Sequence, residues 1–103
     1  MSLKNKTAVI TGCSRGIGKS ILEVFSEHKI NVFACVRNID DEFNLLIESL
    51  VKKHGNEIIP IMLDLNNENS VKEAAQSILS SNKSIDILVN NAATIYTGIF
   101  QMT

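Results

Sequence analysis

The chain has 103 residues, of which 45% are apolar and 20% are charged, and its formal net charge at pH 7 is −1. This balance is typical of a single globular domain with a modest core. The chain has no excess of basic residues of the kind that binds nucleic acid or an anionic membrane. No apolar run approaches the ~20 residues that a membrane-spanning helix needs, and the first predicted strand begins too early for a signal peptide, so we expect a cytoplasmic protein.

Apolar runs alternate with helical patterns along the whole chain. Each predicted helix carries apolar residues at the 3.6-residue spacing of one buried face, whereas the strand at 32–36 is continuously apolar, as in strands covered on both faces. Ser70-x-x-Glu73 is a capping box and predicts the start of the third helix. The regular alternation predicts an α/β fold with a doubly wound parallel sheet. The predicted strands are 6–11, 31–36, 57–63 and 85–90, and the predicted helices are 17–29, 40–54 and 70–81.

Two features indicate which strands lie at the edges of this sheet. Pro60 has no N–H group to donate, so it favours an edge position for the third strand, as in the strand order 3-2-1-4. The fourth strand, at 85–90, is too apolar for an exposed edge and predicts a fifth neighbour. We therefore expect the sheet to be incomplete on its C-terminal side, and residues 1–103 to be the N-terminal part of a longer single-domain protein.

The segment Thr11–Gly18 has the pattern of a phosphate-binding turn between a strand and a helix. At such a turn, unpaired backbone N–H groups and the positive end of a helix dipole meet at one point. Gly12 supplies the positive φ needed to leave the strand, Gly16 lets a ligand approach closely, and Gly18 lets the helix pack against the sheet. Glycines in this structural context are a far more specific signal than glycines alone.

The turn resembles the cofactor turn of the short-chain dehydrogenase/reductase family, and three later segments match the family at the expected places. The resemblance extends from about Lys6 to Thr103, and it implies a Rossmann-type fold that binds a nicotinamide dinucleotide. The later matching segments are Arg37, Asp64-Leu65 and Asn90-Asn91-Ala92-Ala93.

The end of the second strand indicates which dinucleotide is bound. Rossmann-type sites for NAD place an acidic residue there to bind the ribose 2′-OH, whereas sites for NADP place an arginine near the 2′-phosphate. Here Arg37 follows the strand, and no carboxylate occurs before Asp40. Arg15, beside Ser14 in the turn, can add a second charge-assisted bond to a phosphate. We therefore predict that NADP(H) is preferred over NAD(H).

The resemblance also implies roles for the remaining matched residues. Asp64 and Leu65 would hold the adenine, while the segment from Asn90 would brace the sheet against the glycine turn and line the ribose and nicotinamide side. Ala93 stands where the family has glycine, and it would either strain the backbone or narrow the pocket. The predicted cofactor-binding residues are Gly12, Ser14, Arg15, Gly16, Ile17, Gly18, Arg37, Asp64, Leu65, Asn90, Asn91 and Ala92.

The catalytic groups that the resemblance implies are not found in the chain. Family members reduce carbonyls or oxidise alcohols with a serine, a Tyr-x-x-x-Lys pair and an asparagine, all of which we expect downstream of Thr103. Tyr96 does not fit this pair, because Phe100 stands where the lysine would be. The 103 residues alone are therefore predicted to be inactive.

The predicted whole protein is an NADP(H)-dependent oxidoreductase for a carbonyl, alcohol or acyl-thioester substrate. The turn and the segment 86–91 are most similar to 3-oxoacyl-acyl-carrier-protein reductases, and the family implies a dimer or tetramer. The alternative is a stand-alone dinucleotide-binding module without catalysis. We predict no metal site, because His28 and His54 lack ligand spacing, and we expect the two cysteines to be reduced thiols.

Overall fold

The computed structural model describes residues 3–91, in which strands and helices alternate as the sequence predicts. β4 is shorter than the predicted strand 85–90, and the other elements agree with the predicted bounds to within a few residues. The strands are β1 (Thr7–Thr11), β2 (Asn31–Val36), β3 (Ile58–Met62) and β4 (Ile87–Val89), and the helices are α1 (Gly16–Glu27), α2 (Asp41–His54) and α3 (Glu68–Ser80).

The strands form one parallel sheet in the order β3-β2-β1-β4, which confirms the predicted order. Among the described residues, β3 and β4 are the edge strands, and Pro60 pairs with Ala34 from the β3 edge. Hydrogen bonds to β2 are made at Glu57 and Leu63, on either side of β3. Because backbone groups alternate in direction along a strand, the nitrogen of Pro60 faces away from β2. The proline therefore costs the sheet no internal hydrogen bond.

Each central strand contributes to two separate cores, because successive side chains point to opposite faces of the sheet. Even-numbered residues of β1 and β2 pack against α1 and α2, whereas odd-numbered residues of the same strands pack against α3. The sheet is thus covered on both faces, as continuous apolar strands require. The first core includes Ala8, Ile10, Leu22, Val32, Ala34, Phe43 and Ile47, and the second includes Val9, Phe33, Cys35, Val71, Ala74 and Ile78.

The second helix begins and ends with strong local signals. The side chain of Asp40 accepts a hydrogen bond from the N–H of Phe43 at 2.8 Å, and Gly55 ends the helix in the left-handed conformation, with φ 77°. Such an N-cap satisfies a backbone donor that the helix itself leaves unpaired. The cap therefore fixes where α2 starts, close to the end of β2.

The predicted N-cap of the third helix is wrong by three residues. Asn67, rather than Ser70, is the N-cap, and its side chain accepts hydrogen bonds from the N–H groups of Asn69 and Ser70 at 3.0 and 3.2 Å. The Ser70 hydroxyl instead accepts a hydrogen bond from the N–H of Asp64 at 2.9 Å. A contact with the loop after β3 thus replaces the capping role that the local pattern predicted.

Candidate functional site

The turn between β1 and α1 rests on the end of β2. The N–H of Gly12 donates to the carbonyl of Cys35 at 2.9 Å, and Gly12 has a φ of 68°. Arg15 is extended at the N-cap of α1, and Gly16 follows it with a φ of 61°. The positive φ values at both glycines let the chain reverse from strand to helix within a few residues.

Gly18 is the point where α1 comes into direct contact with this turn. A Cβ at this position would overlap the carbonyl oxygen of Gly12 and lie 2.8 Å from Nδ2 of Asn91. Real Cβ atoms essentially never come that close to such atoms, so a side chain at this position would force the helix and the turn apart. The third glycine therefore sets the spacing between the first turn of α1 and the carboxyl end of β1.

The segment after β4 braces the turn from the other side. The hydroxyl of Thr11 donates to Oδ1 of Asn90 at 3.3 Å and accepts from the N–H of Asn91 at 2.9 Å. The Nδ2 group of Asn91 donates to the carbonyl of Gly12 at 3.4 Å. Thr11 is fully buried, so the two bonds of its hydroxyl are partly shielded from water, whereas the bond between Asn91 and Gly12 is exposed. They tie β4 to the glycine turn in the way that the family resemblance implies.

The first turn of α1 differs from those of the other two helices. In the described part of the chain, no side chain caps α1 and no acidic residue lies in its first turn. In α2 and α3, by contrast, Asp40 and Asn67 accept hydrogen bonds from the first-turn N–H groups. The N-terminus of α1 therefore presents backbone donors and a positive dipole end, which favour an anion.

Two adjoining clefts open at the carboxyl ends of the strands. The cleft of about 430 Å³, called here the strand-end cleft, lies over β1, β2 and the loop after β3. The cleft of about 400 Å³, called here the helix cleft, lies towards α1 and α2. Ser14, Arg15 and Arg37 line both, so they stand where the two clefts meet. The strand-end cleft also brings together Gly12, Asp64, Leu65 and Asn91.

The charges around these clefts are predominantly positive at their junction. Arg37 is largely exposed, and its Nε lies 3.9 Å from Oδ1 of Asp64. The same Asp64 oxygen accepts a hydrogen bond from the N–H of Asn66 at 3.0 Å. Within residues 3–91, neither Arg15 nor Lys19 lies within 4.0 Å of a carboxylate. Two of the cations at this site are therefore without an ion-pair partner among the described residues.

The remaining predicted site residues fall into two groups. Gly16 and Ile17 line a shallow apolar groove on α1, and the Ile17 side chain is 71% exposed. Ala92 lies outside the described residues, as do Ala93 and Tyr96. The described predicted residues thus gather at the carboxyl ends of the strands and the start of α1, as expected for an open α/β sheet.

Lys19 lines the helix cleft but is not one of the predicted site residues. Its backbone N–H donates to the carbonyl of Arg15 at 3.4 Å, one helical turn earlier. Residues four apart lie on the same face of a helix, so this spacing was the available signal. On sequence alone, a lysine in the first turns of a helix is typical of a solvated surface.

Both cysteines lie in the core and form no disulfide with each other. Burial raises the pKa of Cys13 well above its ordinary value, and the neighbouring Cys35 adds to the increase. Burial alone raises the pKa of Cys35 to about 12. The Sγ of Cys13 also donates to the carbonyl of Ile10 at 3.0 Å. Thiols of this kind are unreactive, so their place near the turn is structural.

Two kinds of feature are absent from residues 3–91. Residues 3–91 contain no cluster of histidine, cysteine or acidic side chains suited to a metal ion. None of the three described helices is both long and apolar enough to cross a bilayer.

The known sequences that are similar to this chain include several oxidoreductases. A sequence profile of the short chain dehydrogenase family matches residues 6–103. An uncharacterised oxidoreductase of Thermotoga maritima is 33% identical over 93 residues, which are 90% of this chain and 36% of that protein. A 3-oxoacyl-acyl-carrier-protein reductase of Staphylococcus epidermidis is 36% identical over 88 residues, which are 85% of this chain and 36% of the reductase. The chain spans about a third of the length of these curated relatives.

Solved structures of a reductase and a dehydrogenase share the fold of this chain. L-sorbose reductase from Gluconobacter frateurii, solved in complex with NADPH and L-sorbose, has a TM-score of 0.80 and 34% sequence identity, and the match covers 90% of this chain and 35% of the reductase. A hydroxysteroid dehydrogenase from Escherichia coli has a TM-score of 0.75 and 30% identity, covering 90% and 39% of the two chains. Given the sheet order, the glycine turn and a profile match over nearly its whole length, this chain belongs to the short-chain dehydrogenase/reductase family of oxidoreductases.

Proposed function

We propose that this chain binds NADP(H) and is the cofactor-binding part of an oxidoreductase. The observation that carries the proposal is the pair of arginines, Arg15 and Arg37, which line the same cleft together with the hydroxyl of Ser14. When bound, the cofactor supplies or accepts a hydride, which moves to or from a carbonyl or alcohol substrate. The described residues bind and orient the cofactor, and they take no part in the proton transfer.

The shape of the turn fits a dinucleotide. The uncapped first turn of α1 would receive the pyrophosphate, because its N–H groups and dipole favour a negative charge. The contact of Gly18 with Gly12 keeps these donors close to the end of β1. Asp64 and Leu65 line the strand-end cleft, where they would hold the adenine. The start of α1 would thus hold the pyrophosphate, and the loop after β3 would hold the adenine.

Arg37 supports NADP(H) rather than NAD(H). It directly follows β2, the place where NAD-binding sites carry an acidic residue for the ribose 2′-OH. The next carboxylate, that of Asp40, is already engaged as the cap of α2. The ion pair of Arg37 with Asp64 is exposed and 3.9 Å long, so it competes only weakly with a phosphate for the guanidinium.

The experiment is a titration of the full chain with NADPH and with NADH, followed by nicotinamide fluorescence. We expect NADPH to bind more tightly by about tenfold to a hundredfold, because each charge-assisted bond contributes roughly 1.5–3 kcal/mol. Arg37→Asp should shrink or reverse that preference. Lys53→Asp, which makes the same charge change on the exposed last turn of α2, should leave it unchanged. Equal affinities in the unaltered chain would refute the NADP(H) preference, and no binding of either would refute the dinucleotide site.

The activity of the whole protein rests on the family resemblance. Because the chain spans about a third of the length of its relatives, we propose that the serine, tyrosine and lysine lie in a downstream segment of the same domain. We further propose a carbonyl, alcohol or acyl-thioester substrate and a homo-oligomer. The 103 residues should bind NADPH without oxidising it when small ketones or acyl thioesters are added. Turnover by these residues alone would refute this division of labour, and binding without turnover in every longer form would favour a non-catalytic module.

A further inference from the structure

We propose that Lys19 is a specificity-determining residue, supplying a third cation to the subsite that holds the 2′-phosphate of NADP(H). The inference rests on the proposed function and extends it to a residue outside the predicted site. It depends on where the helix cleft lies relative to the arginines.

The two clefts meet at the arginines, and Lys19 approaches that junction from α1. Arg15 and Arg37 line both clefts, whereas Lys19 lines only the helix cleft. A phosphate held between the two arginines would therefore stand at the mouth of the helix cleft. Lys19 is half-buried there, so its stem is packed while its ammonium group remains able to reach the cleft.

The carboxylates of the helix cleft do not neutralise Lys19. Asp40 and Glu42 line the same cleft, but neither lies within 4.0 Å of the lysine ammonium. Asp40 is held by its cap bond to the N–H of Phe43 at 2.8 Å, and Glu42 is exposed. Among the described residues, the ammonium group thus has no ion-pair partner, and the residue lines a cleft that two more cations also line.

Such an arrangement favours a dianion over a hydroxyl group. Three cations around one phosphate share its charge, while a ribose 2′-OH gains almost nothing from them. Arg15, at the N-cap of α1, and Lys19, in the first turns of the helix, both line the helix cleft, so both can act on a phosphate there. Lys19 should therefore strengthen NADPH binding and leave NADH binding nearly unchanged.

The test compares NADPH and NADH binding to the full chain for Lys19→Gln, Lys19→Arg and the control Lys53→Gln. Lys19→Gln should weaken NADPH binding about threefold to tenfold and change NADH binding by less than about twofold. Lys19→Arg, which keeps the charge, should retain most of the NADPH affinity. Lys53→Gln, which removes the same charge from the far end of α2, should change neither. Added salt should reduce the effect of Lys19→Gln, because it screens the exposed charge.

The other outcomes separate this inference from the proposed function. Unchanged NADPH binding in Lys19→Gln, with a preference that still responds to Arg37→Asp, would overturn the role of Lys19 alone. Equal weakening of NADPH and NADH in Lys19→Gln, with an unchanged melting temperature, would also overturn it, since the lysine would then serve a part common to both cofactors. A lack of NADPH preference in the unaltered chain would overturn the proposed NADP(H) function and, with it, the role of Lys19.

Discussion

Gly18→Ala tests whether the close contact between α1 and the glycine turn is essential. The new Cβ would overlap the carbonyl oxygen of Gly12, and its 2.8 Å contacts with the carbonyl carbon of Gly12 and with Nδ2 of Asn91 are below the 3.4 Å of an ordinary contact. The carbonyl group of Gly12 belongs to the backbone, so it cannot rotate away as a side chain can. The helix or the turn must therefore shift, and the hydrogen bond between Asn91 and Gly12 is lost or lengthened.

The free energy of this change has two opposing parts. Alanine gains about 1 kcal/mol over glycine inside a helix, whereas forcing an extra methyl group into a packed site costs about 1–3 kcal/mol. Because the clash is with a backbone carbonyl, we expect a cost at or above the top of that range. The net loss of about 2 kcal/mol corresponds to a fall of roughly 8–16 °C in the melting temperature.

The assay combines thermal unfolding, followed by circular dichroism, with NADPH titration. Gly18→Ala should melt at a lower temperature and bind NADPH more weakly, because the phosphate donors at the start of α1 move. Ser20→Ala, an equally small change on an exposed position of the same helix, should alter neither measurement. If Gly18→Ala keeps or raises the melting temperature and retains NADPH affinity, the contact with Gly12 does not set the spacing of the site.

Two further predictions concern stability. Asp40→Ala removes the side chain that caps the N–H of Phe43, so the free energy of unfolding should fall by about 1 kcal/mol in urea unfolding, and an unchanged midpoint would show that the cap is dispensable. Stability should also fall as the pH rises above 9.0, because Cys35 keeps its proton in the folded chain up to about pH 12 while the unfolded chain loses it from 9.0 upward. Cys13 acts in the same direction. Each thiol should cost about 1.4 kcal/mol per pH unit in that window, and a Cys13→Ala, Cys35→Ala double variant with the same slope between pH 9 and 10 would contradict this origin.

Features that depend on periodicity could be predicted from the sequence. The alternation of strands and helices, the parallel sheet and the edge position of β3 follow from apolar patterns and from Pro60, because both faces of each strand must be buried. The glycine turn was also predictable, since a strand, three glycines and a helix in that order permit few conformations. These signals are local, or they repeat along the chain, and packing reinforces them.

Features that depend on contacts between distant segments could not be predicted. Asn67 and Ser70 are both good N-cap residues, and the choice between them depends on the bond that Ser70 makes to Asp64 in the loop after β3. Lys19 is equally ambiguous, because only the packing of α1 beside α2 shows that a helix-surface lysine faces a cleft with Arg15 and Arg37. In both cases, residues near in sequence offer several solutions and tertiary structure selects one.

The orientation of Pro60 gives the two edges of the sheet different capacities for growth. At β3, the ring nitrogen faces outward, so an incoming strand would find no donor at the centre of that edge. No proline occurs in β4, so its outward-facing backbone amides can all donate. Within the described sheet, addition of a further strand is therefore favoured at β4 over β3. Pro60 thus disfavours strand addition at β3, and replacing it would restore a backbone donor there and make aggregation through this edge easier.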